Sequence, residues 1–227
     1  MAKTLRDRTD PWADAVAHLR RVDPEWSGLI DRVGPCLIRP RKDRFGTLVR
    51  AIVGQQISSK AAASIDARLR ALSGDPHTPE GIASAGETGL RSVGLSGVKA
   101  RYALNLSEAV RSGAVPLHKL HRWNDEEIIT RLTAIKGVGV WTAEMFLIFS
   151  LARPDVFPVG DLGVRAALRD RLGLPDLPTP AACRTIAEPW RPFRSIASWY
   201  LWRSLDPAYR AAPPASSESG LRSEGTQ

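Results

Sequence analysis

The stretch that most constrains the fold is residues 124–172. Asn124, followed three residues later by Glu127, is the pattern of a reciprocal helix N-cap. Ile128, Leu132 and Ile135 then recur on one helical face. Lys136-Gly137-Val138-Gly139 stops that helix. Val140 to Phe149 follow at once and are apolar nearly all round, which predicts a short, central, buried helix. Pro154 and Pro158 break the chain, and Gly160-Asp161 opens a third helix over Leu162 to Leu172.

The rest of the chain reads the same way. Its 227 residues are 43% hydrophobic and 25% charged, an ordinary globular mix for one or two small domains. Asp10-Pro11 predicts a helix start, with Trp12, Val16 and Leu19 behind it. Pro24 to Val33 reads as a second helix. Phe45, Leu48, Val49, Ile52 and Val53 fall at helical spacing. Ser58 or Ser59 caps a helix ending near Gly74, and Gly97 to Gly113 frames another. Residues 75–95 read as loops with one or two short helical turns. No alternating strand pattern stands out, so the expected class is all-α. The tail, 208–227, is rich in Pro, Ser and Glu and is expected to be disordered.

Several chemistries are excluded. Cys36 and Cys183 are too few and too far apart for a disulfide scaffold, a zinc site or an iron–sulfur cluster. His18, His77, His118 and His121 form no metal-ligand pattern; His118 and His121, beside Arg122, suit a surface or a phosphate. Val138 to Ala152 is too short to cross a bilayer and carries Glu144. The first residues lack the apolar run of a secretory signal, and a cytoplasmic setting is expected. The formal net charge of +8 favours a polyanion, with nucleic acid the first candidate and solubility the bland alternative.

A helix, a Gly-x-Gly turn and a second helix have a direct physical use. Glycines let the backbone turn tightly and approach a ligand. The first N–H groups of the second helix lack internal acceptors and sit at the positive end of its dipole. Such a site suits a phosphate, and Lys136 adds a charge beside it. The same glycines also occur in turns that serve packing alone.

The longer string Leu132-x-x-Ile135-Lys136-Gly137-Val138-Gly139-x-Trp141-Thr142-Ala143 is more specific. With the loop Val156-Phe157-Pro158-Val159-Gly160 and the following Asp161, it resembles the helix-hairpin-helix DNA glycosylase superfamily. Phe45 to Ser58, containing Gly54-Gln55-Gln56-Ile57, is similar to the early helix and loop of the DNA-3-methyladenine glycosylase II family. Trp190-Arg191-Pro192-Phe193-Arg194-Ser195, with Trp199 and Trp202, is similar to that family's C-terminal helix. Superfamily members that also cut the backbone carry a lysine two positions after the second hairpin glycine; this chain has Trp141 there.

The resemblance implies a two-lobed helical fold with a cleft between the lobes. Residues 1–44 would pack with the C-terminal lobe, 45–155 would form the lobe holding the hairpin, and 156–207 would carry the aspartate loop and last helices. It implies a monofunctional hydrolase acting in base excision repair on flipped alkylated bases in double-stranded DNA, as a monomer. Asp161 would stabilise the positive charge that develops on the sugar and orient the water; residue type and position alone favour a helix N-cap, the hairpin upstream favours the catalytic role, and both can hold in part. Trp141, Trp202, Met145, Leu162 and Gln55 would line the base pocket, Met145 and Leu162 standing where relatives carry aromatics. Trp202 also reads as core, since Trp199 lies three residues before it.

Gln56 would fill the gap left by the flipped base, or else be a solvated helix-end glutamine. Lys136, Gly137, Gly139, Val140 and Thr142 would hold the DNA backbone. Main-chain carbonyls of Thr133, Ile135 and Val138 would hold a structural Na+ or K+. The alternatives are other lesions (ethenoadenine, hypoxanthine, uracil, oxidised bases), a bifunctional lyase, or a module that only binds DNA.

Overall fold

A computed structural model describes residues 10–209 of the chain. Among them every regular element is helical: α1 (Ala13–Val22), α2 (Trp26–Val33), α3 (Arg44–Gly54), α4 (Ser59–Ser73), α5 (Pro79–Ser92), α6 (Gly97–Arg111), α7 (Asp125–Thr133), α8 (Val140–Phe149), α9 (Leu162–Leu172), α10 (Pro180–Ala187) and α11 (Arg194–Ser204), with three short 3-10 turns. The caps explain most starts. Asp43, Ser58, Thr78, Ser96, Asn124, Asp161 and Thr179 each accept an amide from their own first turn. At Asn124 the reciprocal box with Glu127 is complete.

α8 is the hub. Thr142, Ala143, Met145, Phe146, Leu147 and Ile148 are all buried, and α3 and α7 pack on it. α3 also meets α4 and α6, and α5 lies along α6. On the other side α11 packs on α9, α2 and α1. Trp26 is fully buried edge-on to Trp190, with the Arg171 guanidinium 4.3 Å from its ring centre. One continuous apolar core joins both groups of helices.

Three expectations need correction. Residues 79–92 form a helix of 14 residues where mostly loop was expected. It is two pieces, kinked where Gly86 takes φ 59 and ψ 179, and its Gly-rich sequence hid a helix held by packing on α6. The first helix starts at Ala13, after the Asp10 carboxylate has accepted the Trp12 amide in a turn. Pro207–Tyr209 forms a 3-10 turn, and Arg32 donates to the Tyr209 carbonyl, so order runs slightly past the expected start of the tail; residues 210–227 lie outside the described residues.

Candidate active site

The turn between α7 and α8 is gripped from behind. Gly137 sits at φ +104, and a Cβ there would fall 2.1 Å from Tyr102 Cγ, so both the backbone angle and the ring demand glycine. Asn105 Nδ2 donates to the Lys136 carbonyl at 3.0 Å. Gln55 Nε2 donates to the Gly137 carbonyl at 3.2 Å and to Thr142 Oγ1 at 3.1 Å.

The outer side is open. Lys136, Gly139 and Val140 are exposed, and a Cβ at Gly139 would meet nothing within 4 Å. α8 has no side-chain cap at Gly139, so its first amides remain available to an anion. The carbonyls of Thr133 and Val138 accept no hydrogen bond among the described residues, while that of Ile135 accepts the Val138 amide. Carbonyl oxygens are the donor type that a hard cation takes.

Asp161 closes the loop that follows α8. Arg194 fixes this loop from below, with Nε 2.7 Å and Nη2 3.0 Å from the two oxygens of Asp155. Ser195 accepts the Val156 amide at 2.9 Å. The Asp161 amide donates to the Pro158 carbonyl, and Oδ1 caps α9 by accepting the Val164 amide at 2.7 Å.

Two indoles complete the arrangement. Trp202 Nε1 donates to Oδ1 at 2.9 Å, and Trp141 Nε1 donates to Oδ2 at 2.7 Å. The two tryptophans come from α11 and α8, so the carboxylate stands where the two groups of helices meet. A carboxylate offers about four acceptor positions. Three are taken, and Oδ2 keeps one for a water. Gly163 lets Trp202 lie close, since a Cβ there would be 3.2 Å from its ring. Phe149 packs against Trp202 at 5.5 Å between ring centres.

Glu144 adds a second carboxyl that the sequence reading passed over as a mere charge within an apolar run. It lies one turn after Trp141 on α8. Burial, reinforced by the negative charge of Asp161 and opposed by Arg184, pushes it up to about 7.

The expected site residues fall into distinct places. Trp141, Trp202 and Asp161 come together through direct hydrogen bonds, so the indoles hold the carboxylate. Met145 is buried on α8, whereas Leu162 is 65% exposed at the start of α9. Gln55, expected at the base pocket, places its side-chain amide on the hairpin, at the Gly137 carbonyl and the Thr142 hydroxyl. Thr142 is buried, its hydroxyl bonded to Gln55, and its main chain lies in the first turn of α8. Gln56 is exposed at φ 56. His118 and His121 are exposed, and His121 lies within hydrogen-bond reach of Arg44. His77 is buried in a closed network with Ser73 and Asp66. Reasoning from sequence missed Lys99, Tyr102 and Asn105, which carry no local signal beyond helix periodicity.

The all-helical fold, with two helices joined by a Gly-x-Gly turn and an aspartate opening the next helix, is of the base-excision repair class. A family model described as "HhH-GPD superfamily base excision DNA repair protein" matches residues 49–192, and the chain belongs to that superfamily. It is 39% identical to DNA-3-methyladenine glycosylase 1 of Schizosaccharomyces pombe, over 84% of this chain and 86% of that protein. It is 31% identical to the alkylbase DNA glycosidase-like protein mag2 of the same organism, over 83% of this chain and 92% of that one. The solved structure of S. pombe 3-methyladenine DNA glycosylase (Mag1) in complex with abasic DNA matches with a TM-score of 0.80 at 38% identity, covering 88% of this chain and all of that one. Among the described residues no helix is long and apolar enough to cross a membrane.

Proposed function

We propose that this protein is a monofunctional glycosylase of the 3-methyladenine II type, hydrolysing the N-glycosidic bond of alkylated bases flipped out of duplex DNA. The observation that carries the reading is the Asp161 carboxylate, held through both oxygens by the Trp141 and Trp202 indoles and the Val164 amide. Bond cleavage builds positive charge on the sugar, and a carboxylate fixed in advance stabilises that charge without reorganising. The open position on Oδ2 suits the attacking water.

An alkylated purine such as 3-methyladenine is cationic and leaves readily, so the site needs no strong general acid. The ring faces of Trp141 and Trp202 suit a cationic base through cation–π attraction of about 0.5–2 kcal/mol per contact. Trp141 occupies the place where a lyase carries its lysine, so no amine is set there to form a Schiff base. The exposed turn at Lys136, Gly139 and Val140 would hold the DNA backbone, and the outward Gln56 would fill the gap left by the flipped base. A cation on the Thr133, Ile135 and Val138 carbonyls would tie hairpin to phosphate and take no part in bond cleavage. The protein would act wherever the cell keeps its DNA.

Duplex oligonucleotides carrying alkylated adenine, ethenoadenine, hypoxanthine or uracil, assayed for base release with and without borohydride, test the reading. Release of the alkylated base with no trapped protein–DNA adduct is expected. A trapped adduct would make the protein a lyase. Tight binding without release of any base would make it a binding module.

A further inference from the structure

Lys99, Tyr102 and Asn105 stand three residues apart and share one face of α6. Lys99 Nζ donates to the Val53 carbonyl at 2.8 Å and to the Gln55 carbonyl at 2.6 Å. These are the last carbonyls of α3, the negative end of its dipole. Three residues on, the Tyr102 ring backs Gly137; three further, Asn105 holds the Lys136 carbonyl. One helix face therefore grips the Gln55-Gln56 turn at one end and the hairpin at the other. Gln55 closes the third side through the Gly137 carbonyl and Thr142.

The placement of Lys99 is not casual. It is half-buried, and burial pulls its pKa below the ordinary lysine value. Gln56, the next residue after the peptide it grips, takes φ 56, a left-handed conformation that a non-glycine residue keeps only where its surroundings fix it. Without the ammonium, the Gln55 peptide would lose its anchor to α6, and the exposed Gln56 would lose its fixed height above the hairpin.

We propose that Lys99 is the positioning residue for base flipping, setting the Gln56 turn rigidly against the hairpin. It touches no base and no reacting atom. The proposal rests on the glycosylase reading above. On that reading the hairpin holds phosphate while Gln56 enters the stack, and the two acts need a constant separation. Misplacing such a group by about an ångström costs on the order of a hundredfold in rate. A Lys99 that only capped α3 would affect stability, and binding and chemistry would fall together.

The test compares full-length wild type, Lys99→Met and Lys99→Arg, each checked for cooperative melting. Three quantities are read: affinity for undamaged duplex, single-turnover release of an alkylated base, and fluorescence of 2-aminopurine placed opposite the lesion. Lys99→Met is expected to lose about ten- to a hundredfold in release rate and most of the fluorescence rise. Its affinity for undamaged duplex should change by less than about threefold, because the hairpin keeps Tyr102 and Asn105. Lys99→Arg, which keeps a charged donor, should recover most of the rate. If Lys99→Met does not fold, Lys99→Gln, a polar side chain that lacks both the charge and the reach of the ammonium, is expected to show the same split. A folded variant with wild-type release, or one losing rate and affinity by the same factor, would overturn the proposal. Wild type that neither releases a base nor raises the fluorescence would sink the glycosylase reading itself, which is a separate result.

Discussion

Asp161 Oδ1 accepts the Val164 amide and the Trp202 indole at once, so one atom serves as helix cap and as part of an oriented carboxylate. The sequence allowed both roles in part, and the geometry leaves room for both: a carboxylate has acceptors to spare. Glu144 was harder to see. Its type and position fit any polar interruption of an apolar helix, and only the fold brings Asp161 and Arg184 into its field. Its folded pKa, raised to about 7 from 4.5, fixes a sign. The folded protein holds this proton more tightly than the unfolded chain. The stability from that preference is complete below pH 4.5, falls as pH rises, and is gone above about 7. Glu144→Gln removes the titration. Thermal melts between pH 5 and 8 should therefore show the wild type losing stability with rising pH relative to the variant. Parallel curves would mean that Glu144 is not held as an acid.

At the scale of elements, caps and periodicity were legible wherever the signal was local. The Asn124–Glu127 box, the all-round apolar α8 and the Ser58 and Asp161 starts all lie within a few residues of what they determine. α5 was not legible, because its helical state depends on α6 rather than on its own glycine-rich sequence. The brace on α6 was hidden for the same reason, its partners lying some 30 to 46 residues away in sequence. The hairpin glycines looked equivalent in sequence, and the structure separates them. Gly137→Ala would push a methyl into Tyr102 from a left-handed φ and should cost about 2–3 kcal/mol of stability. Gly139→Ala faces open space, so it should melt like the wild type and weaken DNA binding across all sequences. Melting curves beside a binding titration check both. Equal melts for the two variants would contradict the packing argument.

At the scale of the molecule, charge and architecture point the same way. A net charge of +8 supplies long-range attraction to a polyanion, and on the proposed reading the exposed side of the hairpin is where a phosphate would meet helix amides and Lys136. Lys136→Ala should lower affinity for undamaged duplex and reduce the slope of log affinity against log salt by about one. An unchanged slope would place Lys136 outside the phosphate contact. The central claim is that a carboxylate seated between two groups of helices does the chemistry. Release of methylated bases from alkylated duplex DNA, compared between wild type and Asp161→Asn with both shown to be folded, tests that claim most directly. The amide keeps the size of the side chain and one oxygen for the cap, but removes the charge. Release by the wild type that collapses in the variant, with DNA binding retained, is the predicted result. Equal release by both proteins would contradict it.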